Sequence, residues 1–435
     1  MTAGASPLSV ATEGSLPARA SHHGRAPRLL VLSRNYPNAV FPGLGLWVEC
    51  LVRECAKSCP TTVISPVPYC PPVLRVNDYA RFRAIPRQRS DGDMRVFHPR
   101  FLVGPGRSLY ATEAATYYWS IRAVADRIHA ESGFDLIHAH FSYPDGVVAA
   151  RLGARYAVPV IVTEHAPWQP HWMDTSPLIR RQAVWGARHV RFQIAVSRSV
   201  RATIAAFTGT DERIRVIPLG VDGALFCPAS APQPMRPRQV LYVVFINYNK
   251  GVDLLLHAMR QLRPRLPDAR LILVGGSFYR HTRRQEETLR QLARTLDLQD
   301  AVTFVGHQPP EAVARYLRES ALLVLPSHAE SFGSVLVEAL ASGTPVVATR
   351  CGGPEDIVNE DVGCLIEPGD AAALAAAIEQ MLEHRNCYDP RRLRAYALNH
   401  FAWERVAEQT ISLYAEACGS APFAGPCAVQ EGVQP

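Results

Sequence analysis

The chain has 435 residues, 48% hydrophobic and 20% charged, with a formal net charge of +7. That composition is ordinary for a globular protein of two or three domains, two being the expectation, and no stretch approaches the roughly 18 consecutive apolar residues that a transmembrane helix needs. The charge is uneven: residues 26–226 carry 24 Arg and Lys against 15 Asp and Glu, and residues 240–418 carry 18 against 22.

In chain order, residues 1–25 are rich in Ala, Ser and Pro and lack an apolar core; they read as a disordered tail rather than a secretory signal. Strands are then predicted at 28–33, 62–66, 135–140, 159–163, 193–197 and 215–219. Helices are predicted at 44–58, 109–130, 145–155 and 176–188. A stretch with four prolines, within 227–239, reads as a linker. Beyond it the alternation resumes, with strands at 240–246, 270–274, 302–305, 322–325 and 345–349. Helices are expected at 252–262, 284–296, 310–319, 333–342 and 371–383. Alternating strand and helix predicts a parallel sheet with helices on both faces. The pattern occurs twice, so the fold class is α/β, with two doubly wound Rossmann-like domains (26–226 and 240–400) facing each other across a cleft. Residues 401–418 form a final helix and 419–435 a disordered tail.

Chemistry concentrates in one segment. Glu330 and Glu338 flank Phe332-Gly333, between an apolar run closed by Pro326 and a helical pattern. If the helix starts near Gly333, Glu338 lies roughly 7 Å along it, at about 1.5 Å per residue. Backbone N–H groups at the helix start favour an anion. A carboxylate on each side of an anion cradle suits a nucleotide-sugar, because a carboxylate accepts two hydroxyls at once. A lone Glu near a helix start is otherwise a simple dipole partner. Only two lysines occur, Lys57 and Lys250, so a lysine that remains is a candidate for work arginine cannot do.

The run Glu330-Ser331-Phe332-Gly333 through Glu338, with Gly343-Thr344-Pro345 and Gly352-Gly353-Pro354-Glu355-Asp356 after it, closely resembles the family 4 retaining glycosyltransferases of GT-B fold (group 1). Lys250-Gly251-Val252-Asp253, Val216-Ile217-Pro218-Leu219-Gly220-Val221-Asp222, Asp135 to Phe141, Val162-Thr163-Glu164-His165 and Phe401 to Arg405 resemble further family motifs in the family's order. The resemblance implies that Glu330 faces the donor sugar and Glu338 holds the ribose. It places the backbone at Ser331, Phe332 and Gly333 against sugar and phosphate, and Lys250 on the diphosphate. It implies that His165 touches the donor sugar, the alternative being a structural histidine, and that Gly43-Leu44-Gly45 is the glycine loop near phosphate and acceptor, where an ordinary tight turn is the alternative. His138 and His140 share a strand face and read as packing and hydrogen-bonding residues.

One departure stands out. Where the family has Gly-Arg or Gly-Asn before the lysine, this chain has Val244 and Phe245; Asn247, Asn249, Arg280 or Arg283 are the substitutes at hand. Beyond His165, aromatics in 167–173 beside Arg180 and Arg181 suit an acceptor sugar or a membrane surface, or a core under a long loop. The ten cysteines are scattered without a CxxC; Cys50, Cys55 and Cys59 fall in one predicted helix, and no metal site is expected. The resemblance implies a metal-independent enzyme with no cofactor. Its donor would be a nucleotide-diphosphate sugar and its acceptor a glycan or polyprenyl-linked molecule. The implied setting is bacterial surface-polysaccharide assembly in the cytoplasm, with peripheral contact at the inner face of the plasma membrane. The basic N-terminal half fits an anionic membrane or acceptor, or simply a solvated Arg-rich surface; no nucleic-acid signature appears. Two other classes remain: a GT-B sugar-nucleotide epimerase, and a degenerate sugar-nucleotide-binding protein without turnover.

Overall fold

The computed structural model describes residues 25–70, 77–104, 110–166, 176–228, 236–246, 248–276 and 280–419; the tails at 1–24 and 420–435 lie outside these. In the first half the strands are β1 (Leu29–Leu32), β2 (Thr61–Ile64), β3 (Val67–Pro68), β4 (Gln88–Asp91), β5 (Met94–Phe97), β6 (Arg100–Phe101), β7 (Leu136–His140), β8 (Val160–Glu164), β9 (Phe192–Ala195) and β10 (Ile214–Val216). Eight of them form one sheet, in the order β10-β9-β8-β7-β1-β2-β5-β4, while β3 and β6 pair separately. β1, β7 and β8 are buried along their whole length, as apolar runs covered on both faces must be.

The expectation of an all-parallel sheet needs one correction. β4 runs antiparallel to β5 at the sheet edge. Its sequence, Gln-Arg-Ser-Asp, carries no apolar signal, and its pairing comes from the tight connection through Gly92, at φ 57°.

The second half holds β11 (Arg236–Val243), β12 (Arg270–Val274), β13 (Val302–Gly306), β14 (Ser320–Leu325), β15 (Val346–Thr349) and β16 (Gly363–Ile366), ordered β13-β12-β11-β14-β15-β16 and parallel throughout. Strand β11 begins inside the stretch read as a linker. Strand β16 and the helices Arg198–Thr208 and Pro390–Phe401 went unpredicted, although each helix carries a start signal. Ser197 caps the first by accepting from Val200 N, and Asp389 caps the second ahead of Pro390 at its first turn. The predicted strand 193–197 had absorbed Ser197. Cys59 lies beyond the end of the helix Leu46–Ala56, not within it.

The chain crosses between the halves twice, and the crossings touch. Val221 N donates to Phe401 O (2.7 Å), and Val221 bridges Ala402. Gly220 lies so close to the Trp403 ring that a Cβ would meet it at 2.3 Å. The Arg394 guanidinium donates to the carbonyls of Phe226 (2.9 Å), Gly223 (2.9 Å) and Ala341 (3.2 Å). The last helix, Trp403–Ala417, packs against Leu46–Ala56 of the first half. One buried apolar cluster thereby runs from the first sheet through Trp403 and Phe401 to Phe332 and Leu336.

Candidate active site

In an open α/β sheet, ligands bind beyond the strand ends where the strand order reverses. That point lies between β1 and β7 in the first sheet and between β11 and β14 in the second. Lys250 follows β11 and Glu330 follows β14, so the two strands flanking the second reversal deliver them. The chain leaves β11 through a 3-10 turn, Tyr248–Lys250, and enters the helix Val252–Leu262 through Gly251 at φ 67°. A Cβ on Gly251 would lie 2.0 Å from the Pro326 carbonyl oxygen, so only glycine lets this turn close on the end of β14. Asn249 O accepts from His328 N (3.0 Å) and ties the two loops together.

The result is a close pair. Lys250 Nζ lies 2.6 Å from Glu330 Oε2, with the side chains only 17% and 13% exposed. Ser327 Oγ donates to the same oxygen (3.2 Å). Glu330 is also held by its backbone: its N donates to Cys351 O (3.2 Å), and its carbonyl accepts from Gly353 N (2.8 Å). Gly353 presses against the Phe332 backbone, where a Cβ would come within 2.2 Å. Phe332 is buried, with its ring edge-on to Phe401. Ser331 is half-buried in the same loop.

Gly333, at φ 98°, opens the helix Ser334–Ala341, which carries Glu338. The Glu338 surface is only partly covered. Even so, the apolar residues around it withdraw enough water to push its carboxyl up to about 7. Its backbone carbonyl accepts from Ser342 N (3.0 Å), but no hydrogen bond or ion pair joins its carboxyl to the described residues, Lys250 and Glu330 included. A carboxylate without a paired cation has its oxygens open to hydroxyl donors.

On the facing domain, Gly45 (φ 70°) precedes the helix Leu46–Ala56, and a Cβ there would lie 2.0 Å from Asn35 O. Trp47, one-third exposed, stands 6.2 Å from the His165 ring. The sequence reading missed Trp47; a tryptophan two residues after the Gly43-Leu44-Gly45 loop was the available signal. His165 is nearly buried at the end of β8, and its Nε2 lies 2.9 Å from His140 Nδ1. Burial lowers His165 to about 3, so it is neutral at physiological pH. Its loop is fixed by Glu164, which accepts from the backbone N of Ser142 (2.9 Å), His165 (3.1 Å) and Ala166 (3.1 Å). Arg34, just past β1, is clasped by Glu113 (2.6 Å) and Asp145 (3.5 Å) and so adds little free positive charge.

The two domains meet beside Glu330. Arg198 Nε reaches Asp356 Oδ1 at 2.5 Å, and a Cβ on Gly352 would lie 2.8 Å from Ser199 Oγ. At the family's diphosphate-arginine position, Phe245 is half-exposed. Asn249 is exposed; Asn247, the 167–173 loop and the side chains of Arg280 and Arg283 lie outside the described residues. Among the described residues no group of three or more His, Cys, Asp or Glu is placed to hold a metal ion, and no helix is long and apolar enough to cross a membrane.

Comparison with known proteins agrees with this geometry. Residues 228–400 match the family described as glycosyl transferases group 1, and residues 48–225 match glycosyltransferase family 4. D-inositol 3-phosphate glycosyltransferase of Arthrobacter sp. is 30% identical over 362 residues, 75% of this chain and 84% of that protein. Glycogen synthase of Mycobacterium tuberculosis is 33% identical over 298 residues, 64% of this chain and 68% of that protein. Among solved structures, sucrose-phosphate synthase from Thermosynechococcus elongatus superposes with a TM-score of 0.74 at 24% identity, covering 90% of this chain and 98% of that one. Anabaena HepE in complex with UDP-glucose gives 0.67 at 22%, covering 90% and 100%. With two facing Rossmann-like domains of GT-B type and these relatives, the chain belongs to the group 1, family 4 glycosyltransferases, and it is a glycosyltransferase.

Proposed function

We propose that this enzyme takes its sugar from a nucleotide-diphosphate donor and passes it, with retention of anomeric configuration, to a glycan or lipid-linked acceptor. The observation that carries the reading is the Lys250–Glu330 pair, set beside the helix start at Gly333 where the second sheet reverses. As the bond from the anomeric carbon to the phosphate oxygen breaks, negative charge builds on the leaving diphosphate. Lys250 and the amides at Gly333 stabilise that charge, so the step requires no metal. The acceptor oxygen bonds the anomeric carbon from the face the nucleotide leaves, and its proton passes to the departing phosphate oxygen. Glu338 accepts the ribose hydroxyls, Glu330 and His165 orient the sugar, and Gly45 opens the loop beside the phosphate and acceptor.

Structures of Anabaena HepE with UDP and with UDP-glucose support a donor of this class. Work at the inner face of the plasma membrane, in surface-polysaccharide assembly, is the setting we favour from the family resemblance and the basic N-terminal half. The relatives are named for inositol phosphate and glycogen chemistry rather than for surface polysaccharide. The test is a thermal-shift screen of UDP-, GDP-, ADP- and dTDP-sugars. Stabilisation by at least one is expected, and stabilisation by none would falsify the donor site. Release of free sugar without an acceptor would point instead to the epimerase class. Phe245 motivates one further reading, a binding protein without turnover, which predicts stabilisation but no transfer.

A further inference from the structure

Three histidines stand in a ladder behind the cleft. His138 and His140 lie on one face of β7, with rings 4.4 Å apart, and His165 stacks on His140 at 5.2 Å and 22°. His138 is satisfied at both nitrogens, by Tyr414 Oη (2.7 Å) and Thr163 Oγ1 (2.8 Å). The other two share one hydrogen bond, His140 Nδ1 to His165 Nε2. That leaves His140 Nε2 and His165 Nδ1 buried without partners. Burial holds both rings neutral, so each carries a single proton.

Only two arrangements make the shared bond. If His165 Nε2 carries the proton, His140 must keep its own on Nε2. A donor is then orphaned on a ring with 0% exposure, where neither water nor ligand reaches. If His140 Nδ1 carries the proton, the orphaned donor is His165 Nδ1–H instead. His165 Nδ1 is itself covered, but the residue is 9% exposed, directly follows β8 and stands beside the exposed Trp47. Each arrangement orphans one N–H and one lone pair, and since a buried N–H left unmet is the rarer and costlier, the arrangement whose N–H a ligand can meet is favoured, which is the second. In that arrangement the unmet donor belongs to the one residue of the three that is not fully buried.

We propose that His140 is a positioning residue that locks His165 in the Nδ1–H tautomer, making it a hydrogen-bond donor to a hydroxyl or ring oxygen of the bound sugar. This rests on His165 lining the donor-sugar site. His140 itself touches no substrate. It acts through the direction of one bond, as a histidine's second nitrogen commonly fixes the first.

The test has two arms on the full chain. In the first, histidine-selective 15N labelling with long-range proton–nitrogen correlation reads each tautomer, with His140 and His165 assigned by loss of their signals in H140N and H165N. Protonated Nδ1 on both rings is expected; protonated Nε2 on His165 overturns the proposal. In the second, steady-state kinetics compare H140N, whose amide can still donate to His165 Nε2, with H140L, which cannot. H140L should lower kcat/KM for the nucleotide-sugar about tenfold, the worth of one hydrogen bond, while H140N keeps most of it. Equal losses in both variants at matched melting temperature overturn it. The first arm needs no turnover, so a failure of the donor assignment and a failure of the tautomer assignment are told apart.

Discussion

Asp356 binds the domain opposite its own. It accepts from the backbone N of Arg198 (2.6 Å) and pairs with the Arg198 guanidinium (2.5 Å). The same 3-10 turn, Gly353–Asp356, holds the Glu330 carbonyl through Gly353 N. Domain contact and the Glu330 loop therefore share one four-residue turn. Arg198 is mostly exposed, so the pair adds little stability, about 1 kcal/mol at most. Its effect is on placement, where a shift of about 1 Å can matter more than affinity. Asp356→Ala should lower kcat severalfold to about tenfold and leave nucleotide affinity by calorimetry within about twofold. Unchanged kcat would show that the tie is incidental.

Lys250 and Glu330 should separate by kinetics. On the proposed mechanism Lys250→Ala removes the cation that meets charge on the leaving group, and a loss of about 10²–10³ in kcat is expected, the scale for removing one transition-state donor. Glu330→Gln keeps the shape but loosens the hold on the ammonium. It should lower kcat with a smaller change in nucleotide affinity. The comparison needs initial rates and calorimetry on the same preparations. A Lys250→Ala enzyme within tenfold of the parent would remove Lys250 from the chemistry.

Glu338 offers both a ligand test and a pH test. Without its carboxylate, nucleotide affinity should fall about tenfold to a hundredfold, the worth of hydrogen bonds to a charged group. Its carboxyl is raised from 4.5 to about 7, so between those values the folded chain holds a proton that the unfolded chain has released. Stability from this group is therefore full below about pH 4.5 and lost as pH rises towards 7. Glu338→Gln should melt higher than the parent at pH 8 and alike at pH 4.5. The opposite trend in melting temperature would refute the burial argument.

Tyr414→Phe probes the last helix. The phenol meets His138 Nδ1, both groups being fully buried, and its removal leaves that nitrogen without a partner. A loss of about 1–2 kcal/mol is expected from urea midpoints at constant slope. A neutral result would mean that a water takes the place of the hydroxyl.

Much of this was legible in sequence because it depends on short range. Leu322 to Leu325 is an apolar run, Gly333 starts a helix, and helix geometry then spaces Glu338 from Glu330. Lys250 stood out by rarity. What was not legible depends on register between distant strands. His140 and His165 meet because β7 and β8 pair His140 opposite Thr163. Arg198 and Asp356 meet only once the domains face each other. Strand β4 is set by its turn and partner rather than by its polar residues. That no described cation pairs with Glu338 follows from packing that no spacing reveals.

The contact of Val221 with Ala402 has a mechanical meaning. Two chain crossings that diverged would let one domain slide, tilt and twist against the other. Two crossings bonded at one point, and clamped there by Arg394 and the Trp403 ring, leave chiefly a single swing, like a door on a pin. The gap between His165 and Glu330 is then set by one angle rather than several. Small changes around Gly220 or Arg394 would reach the Lys250–Glu330 pair as a change in that angle.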